Sequence, residues 1–218
     1  MKAKWIILTI VSGLFLSCIS DTTKTTETPE EEDVSLNKYA DIMAGWLEYP
    51  AYGYESTDFK LINSDSLQRI EFEFNSSELF NDPHHSLYKL SPDSSRLLDL
   101  YSYNLIIEQD ESGRLRSLGR NTDSQVSLLD LEKGLSSRLL FVGPSTMIED
   151  GFWINSDELL IVGHSSEVGD STYLPHIWHI VLTSRIISYY EYQLPSVESQ
   201  PDYLFRIRYP QLELLSLP

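Results

Sequence analysis

Histidine is the side chain that changes charge near neutral pH, and this chain of 218 residues has five. His84 and His85 follow Asp82 and Pro83 in a predicted loop. Asp and His ligate metals, but no second cluster offers further ligands. No His-Glu-x-x-His or paired-cysteine motif occurs, so no metal site is expected. His176 and His179 stand three apart on a predicted strand and therefore point to opposite faces. His164 lies in Gly163-His164-Ser165-Ser166, the nearest approach to a nucleophile elbow, but without the Gly-x-Ser-x-Gly pattern. A catalytic serine also needs a histidine base held against it. Paired carboxylates can cleave glycosides, yet among 33 acidic residues such pairs arise by coincidence. Asp99 and Asp130 sit inside apolar strands, where a carboxylate needs partners; they are expected to tie turns together. Phosphate loops of the Walker or Rossmann type are absent. No catalytic residue and no cofactor are expected.

Aromatic residues offer a different chemistry. Trp46, Tyr49, Tyr52, Tyr54 and Phe59 crowd one short stretch, and Tyr189, Tyr190 and Tyr192 form a second group. Flat rings beside carboxylates suit a sugar or a protein surface. Trp46, Tyr49, Tyr52, Tyr54, Tyr189 and Tyr190 are the candidate ligand-binding side chains.

These groups must be positioned by a fold, and the chain divides into three parts by composition: 1–17, 18–34 and 35–218. Lys2 and Lys4 precede an apolar run from Trp5 to Leu16, followed by Ser17 and the only cysteine, Cys18. A cationic start, a short apolar core and small residues are what export machinery reads. The run is shorter than the ~20 apolar residues of a membrane-spanning helix. Phe15-Leu16-Ser17-Cys18 resembles the lipobox of bacterial lipoproteins. The resemblance implies cleavage before Cys18, lipidation of its thiol and a membrane partner through that anchor. Ile19, where an Asp favours inner-membrane retention in that family, implies the outer membrane of the cell envelope. With no second cysteine, no intramolecular disulfide can form, and the fold must rest on its core. Residues 19–34 are Thr-rich and acidic and are expected to form a disordered tether. As a flexible coil they would span roughly 20–25 Å. The formal net charge is −17. Such a charge repels nucleic-acid backbones, so no nucleic-acid partner is expected.

From Ser35 onward one domain is expected. Ser35 is a plausible N-cap, and Leu36, Tyr39, Ala40, Met43, Trp46 and Leu47 follow helical spacing. The remainder predicts strands. Residues 69–74 and 203–209 alternate and predict half-buried strands, with Ile70, Phe72 and Phe74 on one face and Tyr203, Phe205, Ile207 and Tyr209 on another. Leu97–Tyr101, Leu139–Val142 and Leu159–Val162 are apolar on both faces and predict interior strands. Asp110-Glu111-Ser112-Gly113 predicts a hairpin turn.

Two units, about 85–143 and 146–195, share a faint repeat of turn, buried strand, connection, strand, turn and strand. Ser91-Pro92-Asp93 and Leu129-Asp130-Leu131-Glu132-Lys133-Gly134 resemble the turns and third strand of a WD40-like β-propeller blade. The second unit lacks the Asp and Gly of the matching turn. Blades take ~40–45 residues and propellers usually have four to eight. The expected fold is therefore all-β, built of antiparallel meander sheets with one short N-terminal helix. It is either a partial or small propeller or two packed sheets. The function expected is a membrane-anchored lipoprotein whose non-catalytic β domain binds or scaffolds a protein or glycan. The alternatives are a polysaccharide-acting hydrolase and an acidic inhibitor or immunity protein for a basic toxin.

Overall fold

Ser35 caps the start of the helix as its position predicts: its hydroxyl accepts the Asn37 N–H at 3.4 Å. A 3-10 turn, Leu36–Tyr39, runs into α1, Ala40–Leu47. Leu36, Tyr39, Met43, Trp46 and Leu47 form its buried stripe. Burying one such side chain contributes about 1.5–3 kcal/mol, which a helix this short needs from tertiary packing. The computed structural model describes residues 35–49, 52–166, 172–194, 203–210 and 212–214, all within the unit Val34–Pro218. Cys18, the leader and the tether lie outside the described residues.

Among the described residues the domain is mostly β. Its strands in chain order are β1 (Phe59–Ser66), β2 (Ile70–Glu73), β3 (Lys89–Leu90), β4 (Arg96–Asp99), β5 (Leu105–Gln109), β6 (Leu115–Arg120), β7 (Ser124–Asp130), β8 (Leu135–Val142), β9 (Thr146–Asn155), β10 (Glu158–Ser165), β11 (Leu174–Val181), β12 (Ile186–Tyr192) and β13 (Glu213–Leu214). They form two five-stranded antiparallel sheets, with no closed propeller. The central sheet has the order β1-β12-β11-β10-β9, and the outer sheet β2-β8-β7-β4-β3. Each is a meander of four strands, with a fifth strand from the N-terminal part added at the same edge. The β5–β6 hairpin interrupts the outer meander between β4 and β7, and β13 pairs with β6 in parallel. Gly113, at φ +83°, closes that hairpin in the left-handed conformation that glycine adopts without a Cβ clash.

The central sheet is covered on both faces, and its alternation shows it. Leu159, Ile161, Trp178 and Ile180 enter a core with Leu98, Leu100, Val126 and Leu128 of the outer sheet and its flanks. Leu160, Val162 and Ile177 face the other way, against Met43 and Trp46 of α1.

Two sequence expectations are corrected. Ile70 and Phe72 are exposed, Phe72 by 55%. β2 is an edge strand on β8, its Ile70 and Phe72 paired to Arg138 and Ser136, while Leu139, the next residue of β8, faces the core. Residues 203–209 are not a strand: Leu204–Arg208 is a π-helical turn closed by the Tyr209 N–H to the Leu204 carbonyl at 2.9 Å. Alternation would have sent Tyr203 and Tyr209 to one side. The turn instead puts Tyr203 in the core beneath α1 and Leu204 and Tyr209 in the core between the sheets.

Candidate functional site

The aromatic candidates converge, but on a buried carboxylate. Trp46, Tyr49, Tyr52, Tyr54 and Tyr190 are buried and Tyr189 is half-buried, so the first five offer no exposed platform. Their stretch supplies the layer between α1 and the central sheet. The Trp46 indole donates to Glu149 Oε2 at 2.7 Å, and the Tyr52 hydroxyl donates to Oε1 at 2.6 Å. His164 Nδ1 lies 2.9 Å from Oε2, and its Nε2 lies 2.6 Å from the Tyr54 hydroxyl. Tyr52 and Tyr54 stack with ring centroids 5.1 Å apart. Burial pushes both phenols far above their ordinary pKa, and the Glu149 charge adds to it, so both remain donors.

Glu149 is 0% exposed, and so is its neighbour Asp150. Successive side chains of a regular strand face opposite ways. A bulge resolves this: Val162 pairs with Asp150 and Gly163 with Ile148, leaving Glu149 as the extra residue. Asp150 forms an ion pair with Lys89, and its Oδ2 lies 3.0 Å from Arg208 Nε. Lys89 also donates to the Gly151 carbonyl at 2.5 Å, and the Tyr101 hydroxyl to the Glu149 carbonyl at 2.8 Å. Burial lowers the Lys89 pKa against the pull of Asp150. Burial disfavours the Arg208 charge most, but Asp150 together with Tyr209, Tyr101 and Tyr203 outweighs it and the net shift is upward. The two acids thus tie α1, β3, β9, β10 and the Leu204–Arg208 turn into one network. Asp150 faces the cations Lys89 and Arg208, and Glu149 is met by the indole and phenol donors, as a dry interior requires.

His164 also borders a cavity of about 200 Å³ lined by Arg120, Asn121, Thr146, Ser166 and Tyr173 among others. Its Nε2 is held by the Tyr54 hydroxyl, while its buried Nδ1 lies near Glu149 Oε2 without a hydrogen bond. His176 is the other buried histidine of interest. Its Nε2 is 2.5 Å from Ser165 Oγ, its Nδ1 is 2.8 Å from the Tyr189 hydroxyl, and Tyr189 donates to Glu191 at 3.2 Å. This is a serine–histidine contact, the first requirement of a serine nucleophile. However, Ser165 does not line the cavity. It lies in a strand paired on both sides, where the backbone amides serve the ladder rather than an oxyanion. Burial lowers the His176 pKa to about 4.

The remaining polar candidates close on turns. His179 meets Glu158 at 2.7 Å, on the opposite face from His176. His84 Nδ1 lies 2.8 Å from Asp82, and Nε2 lies 2.9 Å from the Leu105 carbonyl. Among the described residues no group of three or more ligands for a metal occurs. Asp99 accepts from the Tyr101 and Ser102 N–H groups at 3.1 and 2.9 Å, and Asp130 from the Lys133 N–H at 3.0 Å. Both tie turns, as expected.

Sequence reasoning missed Glu149, Asp150, Lys89 and Arg208. Two adjacent acids inside the apolar run 146–155 were the one available sign, because a strand that buries both has to bulge. The comparisons add no relative: no protein-family model, curated protein or solved structure matches the chain.

Proposed function

We propose that this protein is a lipid-anchored protein of a bacterial envelope, at the outer membrane, whose β domain works by binding a protein or glycan rather than by catalysis. The observation that carries this is the leader: Lys2 and Lys4, the apolar run to Leu16, then Ser17 and the only cysteine. The acidic, Thr-rich residues 19–34 suit a tether, and the first capped residue of the domain, Ser35, follows it. Among the described residues no helix is long and apolar enough to cross a membrane. Binding is favoured over catalysis because both nitrogens of His176 are already engaged, Ser165 lies in a strand paired on both sides, and Asp150 is paired with Lys89. Metabolic labelling with a fatty acid tests the anchor. Label is expected on the wild type and none on Cys18→Ala; equal label on both, or none on either, removes the anchor.

The Ser165–His176 contact favours a second reading, a hydrolase. A fluorophosphonate probe that labels the wild type but not Ser165→Ala would establish it and displace the non-catalytic reading. No label on either is expected.

A further inference from the structure

Cations are scarce in this chain, yet two arginines face one cleft. Where the chain leaves β1 for β2 and crosses from the central to the outer sheet, a cleft of about 510 Å³ opens, lined by Ser66, Gln68, Arg69, Glu71, Ser184 and Arg185 with Leu67. Arg69 donates through Nη2 to the Leu182 carbonyl at 2.6 Å, while its buried Nε has no hydrogen-bond partner among the described residues. The Arg185 carbonyl accepts from the Leu67 N–H at 2.7 Å, while its guanidinium shows no hydrogen bond or ion pair among the described residues. The two guanidinium groups repel each other, and Arg96 adds to the repulsion. Glu71 and Asp157 offset part of it.

The backbone supplies an independent sign. The turns between the third and fourth strands of the two meanders correspond: residues 131–134 join β7 to β8, and 182–185 join β11 to β12. Each ends in a left-handed residue, Gly134 at φ +64° and Arg185 at φ +55°. For glycine that conformation is unstrained; for a residue with a Cβ it is disfavoured. The outer sheet uses the residue suited to the turn. The central sheet places an arginine there, on the wall of the cleft and with its guanidinium unpartnered among the described residues. Among the described non-glycine residues only Ser94 and Arg185 are held in this region, and such positions cluster at functional sites.

We propose that this cleft is an anion site that takes a phosphate group between the Arg69 and Arg185 guanidinium groups. The planar fork of arginine matches phosphate oxygens in pairs, and a dianion cancels the repulsion between the two guanidinium groups. The serine hydroxyls at 66 and 184 and the Gln68 amide supply further donors. The site gives the binding domain proposed above a ligand class, a phosphomonoester, so it rests on the domain being a binder but not on the lipid anchor.

The test is thermal unfolding and calorimetric titration of the full chain in detergent with inorganic phosphate, against chloride at equal ionic strength. Phosphate is expected to raise Tm beyond chloride. Arg185→Gly copies the Gly134 turn, so the variant is expected to fold and, without phosphate, to melt no lower than the wild type. It should bind phosphate at least about tenfold more weakly, the loss of one charged, paired contact. Arg69→Gln should weaken binding similarly. A second titration with a short-chain phosphatidic acid separates the sources. Tighter binding than inorganic phosphate assigns a lipid headgroup, and equal binding a free phosphate. Phosphate no better than chloride, or Arg185→Gly binding as well as the wild type, overturns the proposal. Either result leaves the fatty-acid label on Cys18 untouched, so the two failures are distinguishable.

Discussion

Glu149 accepts from Trp46 and Tyr52 and lies against His164, so its removal strands two buried donors and leaves His164 without its nearest acid. Breaking such a set by deleting one partner costs about 3–5 kcal/mol. Glu149→Ala is expected to lose that much in urea denaturation, and Glu149→Gln less, because an amide oxygen still accepts. A loss below about 1 kcal/mol for the alanine would show the network to be incidental. His176 sets a pH dependence. An unfolded imidazole binds its proton near 6.5, and the folded one only near about 4. Between those values the unfolded chain binds more protons, so stability from this residue is full above about pH 6.5 and falls as pH drops toward 4. The loss approaches about 3 kcal/mol. His176→Asn should flatten that part of the wild-type profile, measured as stability against pH for both proteins. Legibility at this scale follows sequence distance. Asp99 and Asp130 were readable because their partners lie in the next turn. Glu149 was not, because its partners Trp46 and Tyr52 come from a distant segment that only tertiary structure brings near.

Gly163 decides how β9 and β10 meet. A Cβ at that position would stand 2.2 Å from the Met147 carbonyl oxygen, a backbone atom with no side-chain freedom to withdraw. Gly163→Ala must therefore push the bulged strand away from β10 and pull Glu149 from its donors. The expected cost is about 3 kcal/mol or more, the upper end of overpacking penalties. Trp fluorescence should report it as well, since Trp46 hydrogen-bonds to Glu149; an unchanged midpoint in denaturant would show that the strands can part cheaply. α1 and the β5–β6 hairpin were legible because their signals are local: a cap with a stripe in one, a glycine turn in the other. The segment 203–209 misled because alternation records which side chains are apolar, not which surfaces remain to receive them. Tyr203, Leu204, Arg208 and Tyr209 go to different partners, and a tight turn reaches them where a straight strand does not. β2 misled for the related reason that an edge strand can pair its backbone while its apolar face stays outside.

For the molecule as a whole, the repeat in the sequence corresponds to a repeat in topology: two meanders in the same order, each finished by a borrowed strand. The number of sheets was not readable, since blade-like turns recur whether sheets close into a ring or lie against one another. The borrowed strands have a consequence in time. β1 pairs with β12 and β2 with β8, so the segments made first wait for partners made late. Contacts between such distant segments form slowly. A growing chain holds β1 and β2 long before it holds the edges they complete: the outer sheet cannot be finished before Val142 is made, nor the central sheet before Tyr192. The proposed leader, at the same end, therefore emerges while the polypeptide is still unlocked, the condition in which a chain can be threaded through a narrow channel. The order of the strands thus keeps the central sheet open until well after the proposed leader has emerged.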